Sequence, residues 1–146
     1  SQTGRFAKVA PGELGEALTF LRQHHQTVGG LIDTGWRFVV PDEESLGERQ
    51  REGQAHWWNG REGLMVTWVG DDDDGPVLGL GAAVTRDPGA LARMLVESPQ
   101  LARGMEAYAI FWLAPTEPAV QEALRSAGFV TDDDSGVLFE RRHPSK

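Results

Sequence analysis

The stretch Tyr108–Leu113 (YAIFWL) is an unbroken apolar run, too short to be a helix and without the alternation of a half-solvated strand. It reads as a strand covered on both faces, which requires helices packed against a sheet. The residues after it supply one such helix. Thr116 can cap it, Glu117 and Pro118 suit its first turn, and Val120, Ala123, Leu124 and Ala127 form a buried stripe that Gly128 closes. Phe129–Thr131, an Asp-rich turn and Val137–Glu140 then read as a terminal hairpin.

Upstream, Phe6–Pro11 is a short strand candidate, and Leu14, Ala17, Leu18 and Leu21 have helical spacing within residues 12–26, ended by Gly29 and Gly30. Trp36–Val40 is either a strand or a packed loop. Asp42–Gln54 opens with Asp-Glu-Glu, which suits a helix start, although Gly47 interrupts it. Asn59–Gly60 predicts a type I′ hairpin between His56-Trp57-Trp58 and Leu64–Val69. A turn at Asp71–Pro76 leads on to Val77–Thr85, giving a three-stranded meander. Asp87 and Pro88 start a further helix striped by Leu91, Met94 and Leu95, which Pro99 kinks or ends. The expected fold class is α+β (α/β) in a single domain, 1–146, with a central, mostly antiparallel mixed sheet flanked by helices. Its order is β-α-α-βββ-α-β-α-ββ.

Composition restricts the chemistry. The chain has 146 residues and no cysteine, which rules out disulfides, thiolate nucleophiles and sulfur-ligated zinc. The net charge of −8 argues against a nucleic-acid partner, because phosphate neutralisation needs a basic face. It would also concentrate a cationic substrate such as an amine, or simply keep the protein soluble. No apolar run approaches the roughly 20 residues needed to span a bilayer, so no membrane partner and a cytoplasmic location are expected. The sequence leaves a homodimer open.

The segment Ala109–Phe129 (AIFWLAPTEPAVQEALRSAGF) resembles the fifth strand, following helix and closing Gly-Phe of the GCN5-related N-acetyltransferase (GNAT) superfamily. The element order from about residue 60 to 142 is similar to that family as well. Arg86-Asp-Pro-Gly89-Ala90 resembles the start of its pyrophosphate loop. The resemblance implies a GNAT-like domain using acetyl-CoA as co-substrate to acetylate a small-molecule or peptide amine. It implies cofactor contacts at Val84, Thr85, Arg86, Gly89 and Ala90, where backbone N–H groups and a helix dipole would face the phosphates. The pantetheine arm would lie between splayed strands Leu80–Thr85 and Tyr108–Leu113, with Ala82 and Ala83 leaving it room or merely packing closely. Leu91 stands at the third loop position, where the family has Gly or Ala. Leu124 stands where it commonly has a tyrosine that can protonate the departing thiolate, and Glu117 near its usual asparagine. A second register places the fourth strand at Ala92–Val96 and deletes the helix.

Catalytic candidates are His56, Glu106 and Glu117, with Glu62 and Glu97 matching a general base by type alone. His56 beside Trp57 and Trp58 reads either as a base at an acceptor pocket or as packing. His24 and His25 read as cations at a helix C-terminus. Arg86 is either a phosphate contact or a solvated partner of Asp87. Asp71–Asp74 and Asp132–Asp134 read as solvated turns, and no metal site is expected. The same features allow a second reading: a catalytically degenerate GNAT-like domain that acts as a binding or regulatory module.

Overall fold

The computed structural model describes residues 5–24, 31–34, 38–115, 117–131 and 138–142. The readings at His25, Gly29, Gly30, Trp36, Thr116, Asp132–Asp134 and Val137 lie outside them. The elements run β1 (Phe6–Lys8), α1 (Leu14–Gln23), β2 (Ile32–Asp33), β3 (Phe38–Val39), α2 (Glu43–Arg51), β4 (Ala55–Trp58), β5 (Gly63–Asp72) and β6 (Gly75–Thr85). Then follow α3 (Leu91–Gly104), β7 (Ala109–Leu113), α4 (Pro118–Ser126), β8 (Val130–Thr131) and β9 (Leu138–Arg142). Two 3₁₀ turns, Pro11–Glu13 and Pro88–Ala90, lead into α1 and α3. The expected order holds, with a two-residue ribbon, β2–β3, inserted before α2.

The main sheet has the strand order β1-β4-β5-β6-β7-β9-β8, and only β6 and β7 run parallel. Its two faces carry separate cores. Phe6, Trp58, Met65, Leu78, Leu80 and Ala83 pack with α3 and α4. Trp57, Leu64, Val66, Ala82 and Val84 pack with α1, α2 and Ile32 of β2. The change from even to odd numbering between Leu80 and Ala83 marks a β-bulge. Val66 pairs with Ala82 and Thr67 with Leu80, so Gly81 is the extra residue.

Local chemistry explains most boundaries. Asp42 caps α2 by accepting from the Ser45 N–H at 2.8 Å, and the Ser45 hydroxyl oxygen in turn accepts from the Asp42 N–H at 3.0 Å. Gly47 does not interrupt α2, because it is buried where that helix meets Leu14. The Asn59–Gly60 hairpin is wider than a two-residue turn. Trp58 pairs with Gly63, so residues 59–62 form the loop, with Asn59 and Gly60 both at positive φ. The Asp-rich turn is tighter than expected: Asp72 pairs with Gly75, leaving only Asp73 and Asp74 between strands.

Pro99 does not end its helix; α3 continues through it to Gly104. Proline cannot donate to the Leu95 carbonyl four residues back. The Ser98 hydroxyl donates to that carbonyl instead, at 2.7 Å, and Ser98 is fully buried. The helical state of residues 88–104 also removes the alternative register with a strand at Ala92–Val96.

Candidate functional site

Strands β6 and β7 pair over four residues only, from Val77 with Ala109 to Leu80 with Trp112. The bulge at Gly81 follows immediately, and β6 continues to Thr85 with no further pairing to β7. The Arg86 N–H donates to the Glu62 carbonyl at 2.9 Å, which fixes the alternation along β6. Val84 and Ala82 therefore turn their backbone groups to β5, while Ala83 and Thr85 turn theirs to the gap beside β7.

That gap ends in a cavity of about 360 Å³. Its walls come from four places: Thr85 and Arg86 at the end of β6, Pro88 and Leu91 at the start of α3, Glu117, Ala119 and Val120 at the start of α4, and His24 at the end of α1. The N-terminal ends of two helices thus border one space, which favours negative charge there.

The loop between β6 and α3 is already partly satisfied internally. The Asp87 carboxylate accepts from the Gly89 N–H at 3.1 Å, and the Thr85 hydroxyl donates to the Asp87 carbonyl at 2.7 Å. Arg86 is exposed, but its Nε donates to the Arg61 carbonyl at 2.8 Å and its guanidinium lies 5.0 Å from the Phe20 ring centre. Arg61 is tied down in turn, bonding Glu13 at 2.9 Å and Glu16 at 3.3 Å and stacking 4.1 Å over Trp57. Glu13 also accepts from the Ala10 N–H and the Trp57 indole. These donors, the Ala10 N–H first and Arg61 next, hold its carboxyl below the usual range. Arg86 is therefore anchored to α1 and the 59–62 loop, and is not a simple partner of Asp87.

Of the catalytic candidates, only Glu117 borders the cavity. His56 lies on the α3 face of β4, lining a different pocket. Glu106 follows the C-terminal end of α3, about 20 Å from the helix start by the rise of a 14-residue helix. Glu97 accepts from the Trp58 indole at 3.0 Å and pairs with Arg5 at 3.4 Å, and Glu62 accepts from Asn59 in the hairpin loop. Thr85 and Arg86 border the cavity, and Gly89 is exposed in its loop. The Val84 and Ala90 side chains are buried in the two cores, so only their backbones are available to a ligand. Ala82 and Ala83 are likewise core residues. Leu124 is fully buried and offers no hydroxyl to the gap.

His24 was read from the sequence as a helix-end cation. It is half-buried at the cavity, with its ring 4.5 Å from that of Phe20. Leu91, read as a departure in the loop, forms part of the wall. No local pattern brings His24 to the cavity, which it reaches through tertiary packing.

A groove of about 510 Å³ between α2 and the β2–β3 ribbon carries Asp42, Glu44, Glu48 and Glu52. Asp42 caps α2, and Glu48 and Glu52 pair with Arg49, so most of this acidity is used within the fold.

No protein-family model matches this sequence, and no curated protein matches it. Solved structures do match in fold. A GNAT-family acetyltransferase from Listeria monocytogenes superposes with a TM-score of 0.67 at 11% identity, covering 94% of each chain. Arylalkylamine N-acetyltransferase 2 from Aedes aegypti gives 0.66 at 11% identity, covering 94% of this chain and 98% of that one. N-acetylglutamate synthase from Neisseria gonorrhoeae, complexed with coenzyme A and N-acetyl-glutamate, gives 0.64 at 14% identity over 95% of this chain and 35% of that one. The chain has the GNAT fold.

Proposed function

We propose that this protein is an acyl-CoA-dependent N-acyltransferase that moves an acetyl group to a small-molecule or peptide amine. The observation that carries the proposal is the open gap between β6 and β7. It begins at the Gly81 bulge and ends at the cavity between the N-terminal ends of α3 and α4.

The chain's own groups supply positioning. Backbone groups of Ala83 and Thr85 face the gap and suit pairing with an amide-bearing pantetheine arm. The Gly89–Leu91 turn and the α3 dipole suit the pyrophosphate. The fit is good along β6 and poorer at the loop, where the Asp87 carboxylate already occupies the Gly89 N–H. In the reaction, the acceptor nitrogen bonds to the thioester carbon, the carbon–sulfur bond breaks, and the nitrogen sheds one proton. Glu117 and His24, which both line the cavity, would relay that proton to water or to the leaving thiolate. Backbone N–H on β6 would polarise the carbonyl, and confinement in the gap would orient the partners.

The test is thermal unfolding with CoA or acetyl-CoA at millimolar concentration. A ligand in large excess over its Kd stabilises by roughly 3 kcal/mol through mass action, several degrees for a chain of this size. Asp87→Asn keeps the cap but removes the charge competing with the pyrophosphate, and should tighten CoA binding about fivefold. An unchanged unfolding temperature for both proteins sinks the proposal.

Leu124 and the Asp87 cap favour one alternative, a GNAT-fold module that binds without transferring. Stabilisation by acetyl-CoA with no thiol release across a panel of amines would select it.

A further inference from the structure

A second cavity, of about 430 Å³, opens on the α3 face at the β1 edge of the sheet and shares no residue with the gap between β6 and β7. Phe6, Leu101 and Met105 give it apolar walls, while Lys8, His56, Glu52 and Gln54 bring polar groups, Gln54 already accepting from Arg49 at 2.6 Å. Lys8 and His56 are cross-strand partners, so their side chains leave the sheet side by side.

His56 is 2% exposed, and its Nε2 is enclosed without a hydrogen-bond partner among the described residues. A buried ring nitrogen in that state costs free energy that folding alone does not return. Among the described residues Lys8 forms no ion pair. Glu52, the other charged group at this pocket, is committed to Arg49 at 3.4 Å. Lys8 therefore supplies the positive charge beside the His56 ring, where a carboxylate can be held. Burial and the Lys8 ammonium hold the His56 imidazolium down to about 4, so the ring is neutral near pH 7 and has one N–H to donate.

We propose that this pocket binds a small apolar carboxylic acid, its carboxylate between His56 and Lys8 and its hydrocarbon against Phe6, Leu101 and Met105. Lys8 is exposed, and its Nζ lies 3.3 Å from where a Cβ on Gly53 would stand. The Lys8 side chain must rotate away from Gly53 for the carboxylate to reach Nε2. The site would let an organic acid report on the α3 side of a protein whose proposed transfer chemistry lies elsewhere.

Hexanoate is a suitable probe, with hexanamide as its uncharged counterpart. In ¹H–¹⁵N spectra of the histidine rings of the full chain, the His56 resonance is identified by its loss in His56→Gln. Hexanoate should move that resonance along a saturating curve and raise its titration midpoint, because a bound carboxylate favours the imidazolium. Hexanamide should bind about fivefold more weakly or worse, and Lys8→Gln should lose about fivefold in hexanoate affinity. Lys8 is an exposed edge residue outside the proposed acyl-CoA site, so its replacement should leave stabilisation by CoA unchanged. A His56 resonance unmoved at about 10 mM hexanoate, far above any useful affinity, overturns the proposal. So does equal binding of hexanamide, or hexanoate affinity that Lys8→Gln leaves intact.

Discussion

At the scale of single residues, His56 has a consequence for the whole protein's pH response. Its imidazole titrates at about 4 when folded and near 6.5 in an unfolded chain, because burial first and Lys8 second oppose the imidazolium. Between those values the unfolded chain binds more protons, so acid pulls the equilibrium towards unfolding. The stability is complete above pH 6.5 and is lost as pH falls towards 4. The His56 share of that loss between pH 7 and 5 comes to about 2 kcal/mol. Urea titrations at those two pH values should show it, and His56→Gln should remove most of the difference. An identical difference in the variant would place the acid sensitivity on other groups. Glu13 and Asp42, both held below their usual range, add losses in the same direction at lower pH. His56 had two readings in the sequence because burial is a tertiary property; the Trp57-Trp58 neighbours gave composition, and the sheet decided which face the ring occupied.

At the scale of elements, α3 shows how a local rule is overridden. Pro99 predicts a break, since it removes the donor for the Leu95 carbonyl, yet the helix runs on for another turn. The preceding Ser98 supplies the missing donor from its side chain, in a position where water cannot. Ser98→Ala should therefore cost about 1–3 kcal/mol, the penalty for leaving a buried carbonyl unsatisfied. Adding Pro99→Ala restores a backbone N–H to that carbonyl and should recover much of the loss. The pair is a double-mutant cycle read by urea unfolding. Additive losses would show that the hydroxyl serves some purpose other than replacing the proline's donor. Helices α1 and α4 and strand β7 were legible because their apolar spacing is strong and local. The β2–β3 ribbon was not, because a two-residue strand such as Ile32–Asp33 carries no periodicity.

For the whole molecule, the least legible feature is the one that shapes the gap. In Val77–Thr85 the sequence shows small and apolar residues, but nothing in it says that Gly81 is an extra residue in the ladder. The bulge depends on a neighbour far away in the chain: a Cβ on Gly81 would collide with the Asp33 carbonyl and stand 3.2 Å from the Ile32 Cγ2. The ribbon lies directly on the bulge, so one glycine joins the α1–α2 layer to the point where β6 leaves β7. The resemblance implies that Leu80–Thr85 and Tyr108–Leu113 splay apart, and pairing does end at Leu80 and Trp112, but it does not say that a bulge at Gly81 causes it. Gly81→Ala tests this join. The obstacle is backbone, not the tip of a flexible side chain, so β2 must lift or the bulge must flatten. A loss of about 2–4 kcal/mol is expected, in the range of substitutions that strain a packed backbone. If the join shapes the gap, the variant's residual folded protein should also lose stabilisation by CoA, and amide exchange should quicken at Ile32 before it quickens in β4 or β5. A variant as stable as the parent, with Ile32 equally protected, would mean that the ribbon and the bulge are independent and that the gap is set by β7 alone.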